Sequence, residues 1–501
     1  MTTERQWGTV VYLLCCILYA GPLLSEAYLP LVDLPQHMHL VQVKRDMLLG
    51  GGTVGHFRLA EPLAPYWVFY ALATLLSLVV GAEWAVRLLL ALALALTPLA
   101  VRHLARTWDR ETAFTLLAFP LACSFSFWMG FASFVFAVPL GLLLVAEMSR
   151  CVMDPARSRR NLTLLGMVLY FTHVQVLALA GLWCVVVTAP CWLSRRRDVL
   201  HACLALVPAG VLLVGWLFHA QQYAPPGSPV DHVPPAEALS QFWRNAMGVS
   251  VHNAFVDGTD GWSMAAVAAL LLLAFAYRPE TRRAPSVPFA ALAAVVATLV
   301  VYLVSPSGTR WQHLISQRYV GPMLLLALAA VPAWTVRHRT AQVLCAVVAV
   351  ATGINFAVHL KRFSAQVGPF DEAIQHVKPG TRTVALMLDN TSPVIHGYPL
   401  LHYGVLMAAR RDTVPANGFG RFPQVPVQLV DRSEVPAPSE FEPQDWDADA
   451  MLVAYDHVLI RNRPGERFDA LGAHAAEWTT SFDRDGWVLH TRVSRWKRPQ
   501  P

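Results

Sequence analysis

The stretch LPLVDLPQHMHLVQ at residues 29–42 places three side chains suited to acid–base chemistry close together: Asp33, His37 and His39. A carboxylate can take a proton from a hydroxyl group, and imidazoles donate or accept protons near neutral pH. Asp33 also stands just before Pro35, and these residue types are favoured at the cap and first turn of a helix. We therefore keep two roles for Asp33, general base and helix cap, which do not exclude each other. The two histidines suit either the same chemistry or contact with a membrane surface.

A second group of polar residues lies far along the chain, in RWQHLISQRYVGPMLLLAL at residues 310–328. Arg310, His313 and Arg318 are cationic or ionisable groups next to an apolar run, so they suit binding of a phosphate. Their alternative role is to reach the phosphates of ordinary lipids. His173 stands alone inside an apolar run, where an ionisable group is either functional or hydrogen-bonded to a neighbouring helix.

The elements that must position these groups are membrane helices. The chain has 501 residues, of which 55% are apolar and 14% charged, whereas soluble proteins carry about 25% charged residues. Apolar runs of about 20 residues cross the hydrocarbon core as helices, so the composition indicates a polytopic α-helical membrane protein. We expect about eleven spans, at residues 7–25, 64–81, 84–104, 112–127, 129–148, 161–188, 198–218, 262–277, 287–305, 318–335 and 339–358.

Short basic segments set the expected topology. Residues 194–197, 278–283 and 336–339 are rich in arginine and are predicted to be cytoplasmic, which excludes a nucleic-acid-binding role for these charges. The C-terminus of this multi-pass inner-membrane protein is then extracytoplasmic. The basic segment 149–160 conflicts with this count. It fits if residues 161–188 form two short helices with His173 at an outer tip, provided the parity also changes between residues 64 and 148.

Two domains are predicted. Residues 1–360 form the multi-span domain, whose first external loop, 26–63, contains a short interfacial helix that ends at Gly50 and Gly51. Residues 361–501 form an external α/β domain, in which 369–390 reads as an amphipathic helix, a Pro-Gly turn and a buried strand. Further strands are predicted at 457–462 and 486–493, with a helix at 398–411 and an acidic surface loop at 431–450. His396, His402 and Tyr403 form a polar and aromatic cluster there, suited to packing or to contact with an acceptor.

Three segments carry a resemblance to a known family. DLPQH at 33–37, the segment 310–328 and SFWMGFASFVFAVPLGLLL at 126–144, in this overall layout, resemble the GT-C superfamily of integral-membrane glycosyltransferases. The resemblance implies transfer of a sugar from a polyprenyl-phosphate carrier in the bilayer to an unknown saccharide, lipid or protein acceptor at the outer face. It implies that Asp33 is catalytic, helped by His37. It also implies that the donor phosphate meets Arg310, His313 and Arg318, with His39 and His173 as further substrate-binding candidates.

Some members of that superfamily use a divalent metal held by carboxylates from more than one loop. Asp33 has no obvious acidic partner here, although Asp231, Asp257 and Asp260 lie in the long loop 219–261 and His37 could replace one ligand. We therefore favour a reaction without a metal, with Mg²⁺ or Mn²⁺ as the alternative.

Two other functions remain open from the sequence. A transporter or flippase of a lipid-linked saccharide would fit the apolar spans, although internal duplication typical of transporters is not seen. A non-catalytic membrane scaffold would recruit a partner through its external domain, and the acidic loop 431–450 would then matter more than Asp33.

Overall fold

The computed structural model groups the described residues into two compact units. The helical unit comprises Met1–Glu26, Pro62–Phe69 and Arg87–Lys361, and the sheet unit comprises Ala27–Glu61, Tyr70–Val86 and Arg362–Pro501. The structure describes residues 2–110, 112–154, 156–221, 230–249, 252–276, 287–309, 312–332, 338–422 and 424–493.

The chain is dominated by helices as far as residue 366. In chain order they are α1 (Thr2–Ser25), α2 (Leu34–Leu49), α3 (Trp67–Val80), α4 (Ala82–Thr107), α5 (Ala118–Ala122), α6 (Phe125–Trp128), α7 (Ala132–Met153), α8 (Arg160–Thr172), α9 (Val174–Thr188), α10 (Arg196–Gln221), α11 (Pro235–Met247), α12 (Thr259–Ala276), α13 (Val287–Val304), α14 (Val320–Ala330) and α15 (His338–Gln366).

Six helical segments among the described residues are long and apolar enough to cross a membrane. They are Trp7–Ser25, Ala82–Thr107, Ala132–Met153, Val174–Cys191, Arg196–Ala220 and Arg339–Gln366. Shorter apolar helices occupy Trp67–Val80, Ala113–Trp128, Thr259–Phe275 and Ala290–Val304. The predicted multi-pass helical architecture is therefore confirmed, while the count of about eleven spans stays a prediction.

Helices α1 and α4 run antiparallel, which constrains the chain between them. The Tyr12 hydroxyl donates to the carbonyl of Ala95 over 2.7 Å, and Arg87 Nη1 donates to the carbonyl of Glu26 over 2.5 Å. The end of α1 thus lies level with the start of α4, so the chain between them crosses an even number of times. The single span predicted at 64–81 is inconsistent with that parity, and α3 is only 14 residues long.

The segment 161–188 is broken at His173, as the two-helix alternative predicts. His173 has φ −164° and ψ 110°, so α8 ends before it and α9 begins after it. Arg195 Nη1 donates to the carbonyl of Met153 over 2.9 Å, which places the two basic segments 149–160 and 194–197 at one end of the helical unit. The break at His173 lies about 20 Å from this end, which is the length of α8. Next to the break, Gln175 Nε2 donates to the carbonyl of Ile315 over 2.9 Å.

The sheet unit contains a five-stranded mixed sheet. Its strands are β6 (Arg382–Met387), β7 (Val414–Pro415), β9 (His457–Arg461), β10 (Trp478–Arg484) and β11 (Trp487–Arg492). The order is β10-β11-β9-β6-β7, with β6 parallel to β7 and β9, and β11 antiparallel to both β9 and β10. Val384 pairs with Val458 and Leu386 with Ile460, and all four side chains are buried. The predicted C-terminal sheet is therefore present.

Further short elements complete the fold. The strands are β1 (Phe57–Leu59), β2 (Gly248–Val249), β3 (His252–Asn253), β4 (Gly308–Thr309), β5 (Gln312–His313) and β8 (Val427–Leu429), and the helices are α16 (Phe370–Ile374), α17 (Tyr403–Arg411) and α18 (Ala448–Met451). The predicted helix at 398–411 is thus present from residue 403 onward.

The first loop is built into the sheet unit. Strand β1 pairs antiparallel with β8, with Phe57 opposite Leu429. Helix α2 packs against α17 and buries side chains on most of its surface, rather than on the single face expected of an interfacial helix. It ends at Gly50, whose φ of 82° suits a residue without a side chain, as predicted. This grouping differs from the sequence-based division, which assigns the loop to the membrane-spanning domain.

Arg410 ties several segments of the sheet unit together. Its Nε and Nη2 donate to the two carboxylate oxygens of Glu83, each over 2.8 Å, and its Nη1 donates to Asp371 over 2.5 Å. Nη2 also donates to the carbonyl of Ala27 over 3.1 Å. A planar guanidinium has five donors and can make these four bonds at once, whereas a lysine ammonium has only three donors.

Replacing Arg410 by alanine should lower the free energy of unfolding by about 2–4 kcal/mol, because the partly buried Glu83 carboxylate and the more exposed Asp371 lose their cation. Arg467→Ala is the matched control, since Arg467 is 84% exposed in its pair with Asp483 and should cost less than about 1 kcal/mol. Equilibrium denaturation in detergent measures both. Equal losses in the two variants would contradict the assigned role of Arg410.

The helix break at His173 predicts which loops share a membrane face. In a cysteine-free background, Ser158→Cys and Ser194→Cys should react with an impermeant thiol reagent only from the cytoplasmic side. His313→Cys, near the break, should react only from the other side. Labelling is compared between intact cells and inverted membrane vesicles. If the Ser158→Cys and Ser194→Cys variants reacted from opposite faces, the return of the chain through α8 and α9 would be contradicted.

Candidate functional site

Asp33 occupies the cap position of α2, but its side chain serves another partner. Helix α2 starts at Leu34, and the Asp33 backbone carbonyl accepts from the amide of Gln36 over 3.0 Å. The carboxylate makes no capping hydrogen bond. Its Oδ1 lies 3.1 Å from Nδ1 of His402 instead. The capping role is therefore limited to the backbone, and the carboxylate is available for other chemistry.

His402 is a buried imidazole between two carboxylates. Its Nδ1 also donates to the carbonyl of Val32 over 2.9 Å, and its Nε2 lies 3.4 Å from Oε1 of Glu440. The side chain of His402 is 7% exposed, that of Asp33 13% and that of Glu440 30%. Burial lowers the pKa of His402, but hydrogen bonds and charge interactions with Asp33 and Glu440 outweigh it and raise the pKa to about 10. His402 is thus an imidazolium at neutral pH.

The local sequence explains how His402 reaches this place. His402 caps α17, and its carbonyl accepts from the amide of Leu406 over 3.0 Å. Helix α17 packs closely on β6 at Gly404, where a Cβ atom would lie 2.2 Å from the Cβ of Ala385. A residue with a side chain at this position would push α17 and the imidazole away from the sheet.

The second oxygen of Asp33 is open. Among the described residues, Oδ2 accepts no hydrogen bond, whereas Oδ1 lies 3.1 Å from Nδ1 of His402. A carboxylate held on one oxygen and open on the other can accept a proton from a bound hydroxyl group without moving.

The two histidines of α2 contact other partners. His37 Nδ1 lies 2.7 Å from the hydroxyl of Tyr70, and the two rings stack with centroids 5.7 Å apart. His39 Nε2 lies 3.3 Å from the carbonyl of Thr413, and burial lowers the pKa of His39 to about 4. His39 is thus a buried neutral ring at neutral pH. Neither His37 nor His39 shares the observed partner of Asp33, which is His402.

The remaining predicted site residues that the structure describes belong to the helical unit. His173 meets the rings of Tyr66 and Phe134 edge-on, with centroids 4.9 and 5.1 Å away. His313 is exposed on β5. Arg310 lies outside the described residues.

Arg318 is largely used by its own loop. Its Nε and Nη2 donate to the carbonyls of Leu314 and His313, each over 3.0 Å, and its guanidinium lies 3.7 Å from the ring centroid of Phe131. Leu314 has a φ of 59° and Tyr66 a φ of 72°, which is rare for large side chains. Strained backbone of this kind often marks a functional region.

The acidic residues considered as metal ligands have local structural partners. Asp260 accepts from the amides of Ala254 and Phe255, and Asp257 lies 3.0 Å from Nε2 of His359. Within the part of the chain that the structure describes, no three His, Cys, Asp or Glu side chains are grouped so as to hold a metal ion. The residues around Asp33 do not fit a metal, since the group between its carboxylate and that of Glu440 is the His402 cation.

Glu440 was not predicted as a site residue. It lies in the acidic segment 431–450, which the sequence marks only as a surface loop. For His402 the sequence predicts packing or contact with an acceptor. No local motif signals the contacts of His402 with Asp33 and Glu440, because the tertiary fold creates them.

No family model matches the sequence, and no curated protein does either. Solved structures do resemble the fold. ArnT from Cupriavidus metallidurans bound to undecaprenyl phosphate is 15% identical with a TM-score of 0.57, and 99% of each chain is covered. The apo form of the same ArnT is 14% identical with a TM-score of 0.59, and the match covers 99% of this chain and 100% of ArnT. The arabinofuranosyltransferase AftD from Mycobacteria is 15% identical with a TM-score of 0.52. That match covers 98% of this chain but only 40% of AftD.

The His402 cluster predicts a pH dependence of stability. A pKa raised from 6.5 to about 10 stabilises the fold fully below pH 6.5, and this contribution is lost as the pH rises through 10. The wild type should lose about 2–4 kcal/mol more than His402→Gln between pH 7 and pH 10. Denaturation at a series of pH values measures this, and parallel curves for the two proteins would contradict the ion cluster.

Proposed function

We propose that this chain, which has the fold of the GT-C membrane glycosyltransferases, moves a sugar from a polyprenyl-phosphate donor to an acceptor at the outer face of the membrane. The observation that carries the proposal is the full-length similarity to ArnT, one structure of which holds undecaprenyl phosphate. A lipid-linked donor also suits a multi-pass protein, because the carrier reaches such a site from within the bilayer.

Asp33 acts as the general base in this proposal. The acceptor hydroxyl gives its proton to Oδ2 while its oxygen forms a bond to the anomeric carbon of the donor sugar. The bond between that carbon and the phosphate oxygen breaks, and the polyprenyl phosphate leaves with the electron pair. His402 holds Oδ1, so the open oxygen keeps one orientation throughout.

The leaving phosphate gains negative charge and needs cations nearby. We assign this role to the segment containing Arg310, His313 and Arg318. Of His313 and Arg318, His313 is the more exposed and therefore the more accessible to a phosphate. Arg318 instead holds the fold of the segment through its bonds to the carbonyls of Leu314 and His313. The catalytic role of His37 and the substrate contacts by His39 and His173 stay predictions.

The reaction as written needs only side chains of this chain, and no step passes through a metal. The extracytoplasmic location of the C-terminal domain in an inner-membrane protein stays a prediction from the basic segments of the sequence, which favour the cytoplasm.

Asp33→Asn should lower turnover at least about 100-fold, because the amide cannot accept the proton. Release of polyprenyl phosphate from a panel of polyprenyl-phosphate sugars, scored with purified protein, measures the effect. Asp445→Asn, at an exposed carboxylate, is the control and should match the wild type. Thermal melting checks that the variant is folded. A folded Asp33→Asn protein with wild-type turnover would show that Asp33 is not the base.

A further inference from the structure

A cavity of about 300 Å³ lies at one end of the helical unit. Its lining residues come from near the starts of α1 and α15, from the last turns of α4 and from the segment 112–116 that follows α4. All three helices contain candidate membrane spans. Ligand pockets in proteins enclose about 300–1,000 Å³, so the cavity has room for a lipid headgroup.

Contacts between helix ends show where along the helical unit the cavity lies. Just beyond α4, the Trp108 indole donates to the hydroxyl of Ser149 over 3.0 Å, so the end of α4 lies beside the basic segment 149–160. The basic segment 194–197 shares that end of the unit. The cavity therefore lies at the end that these segments predict to be cytoplasmic, and the break at His173 lies away from it by the length of α8.

Two arginines line the cavity from one face of α4. Arg102 and Arg106 are one helical turn apart, and both side chains are exposed. The guanidinium of Arg106 makes no hydrogen bond or ion pair with another described residue, and the same holds for the hydroxyl of Thr112. No aspartate or glutamate is among the described residues of the lining. Cationic and hydroxyl donors without an acid beside them suit a phosphate group, which accepts several hydrogen bonds.

The lining is in part apolar. Trp7 and Leu99 line the cavity and are 40% and 41% exposed. Trp7 is also the first residue of the apolar span Trp7–Ser25, a position at which tryptophan is favoured because its ring lies at the level of the lipid headgroups. A small soluble anion would leave these apolar surfaces in water, whereas the glycerol and first methylene groups of a phospholipid can cover them.

We propose that this cavity binds the phosphate headgroup of an anionic phospholipid through Arg102, Arg106 and Thr112. Two cations and no acid in the described lining favour a headgroup with net negative charge over a zwitterionic one, whose ammonium group would meet no carboxylate. The bound lipid would hold α1, α4 and α15 together at this end of the unit. The proposal goes beyond the transferase reaction and does not depend on it.

Lipid binding to the full-length protein purified in detergent tests the proposal, with native mass spectrometry measuring the affinity for the first bound lipid. Dioleoylphosphatidylglycerol is set against dioleoylphosphatidylcholine, which has the same acyl chains and no net charge. Glycerol 3-phosphate and inorganic phosphate supply the phosphate without a lipid tail. Phosphatidylglycerol should bind at least about tenfold more tightly than each of the other three probes.

Arg102→Gln combined with Arg106→Gln should reduce the preference for phosphatidylglycerol over phosphatidylcholine to less than about twofold, because both cations of the cavity are lost. The matched control combines Arg160→Gln with Arg197→Gln. It removes two exposed arginines at the same end of the unit that do not line the cavity, and it should keep the preference within about twofold of the wild type. Thermal melting without added lipid checks that each protein is folded.

Gly8→Phe tests the cavity itself while both arginines are kept. Gly8 lines the cavity, and a Cβ atom added there would meet open space, so a phenyl ring can take the place of the headgroup. This variant should weaken phosphatidylglycerol binding at least about fivefold, and it decides the question if the double arginine variant melts early.

Equal binding of the two phospholipids, equally tight binding of a soluble phosphate, or equal effects of the two arginine pairs would overturn the proposal. Wild-type affinity in Gly8→Phe would overturn it as well, because the lipid would then bind outside the cavity.

Discussion

The arrangement of the sheet unit depends on one buried positive charge, the imidazolium of His402. It neutralises charge on Asp33 and Glu440, which come from segments far apart in the sequence. Without it, a nearly buried carboxylate would remain without a counter-charge at the start of α2, which is costly in a low-dielectric setting. The same contact fixes one oxygen of Asp33 and leaves the other open. Stability and the proposed chemistry therefore have a common physical origin.

The sequence revealed Asp33 because a carboxylate between apolar runs is conspicuous, and it revealed the helices because their apolar runs are long. It could not reveal His402 and Glu440 as partners, since only the packing of α17 on β6 through Gly404 brings the imidazole to α2. Strand β10 was missed because WTTSFDR is mostly polar, as an edge strand with an exposed face can be. Helix α2 looked interfacial because its charged residues suggested a wet face, whereas α17 and the rest of the unit cover it.

The helical unit shows how local contacts settle topology that hydropathy leaves open. A run of apolar residues has the same composition whether it crosses once or turns back at a break. The bonds from Arg87 to Glu26 and from Arg195 to Met153 fix which helix ends are level, and so require an even number of crossings in each interval. The basic segment 149–160 then fits beside 194–197. His173 marks a turning point of the chain rather than the middle of a span.

The central claim is that His402 is charged and holds Asp33. Selective ¹⁵N labelling of histidine, with His402→Gln used to assign the signal, reports the protonation of both ring nitrogens directly by NMR. The account predicts that both nitrogens of His402 stay protonated at neutral pH and lose a proton only near pH 10. A ring that titrates near the ordinary histidine value, or that is neutral throughout, would contradict it.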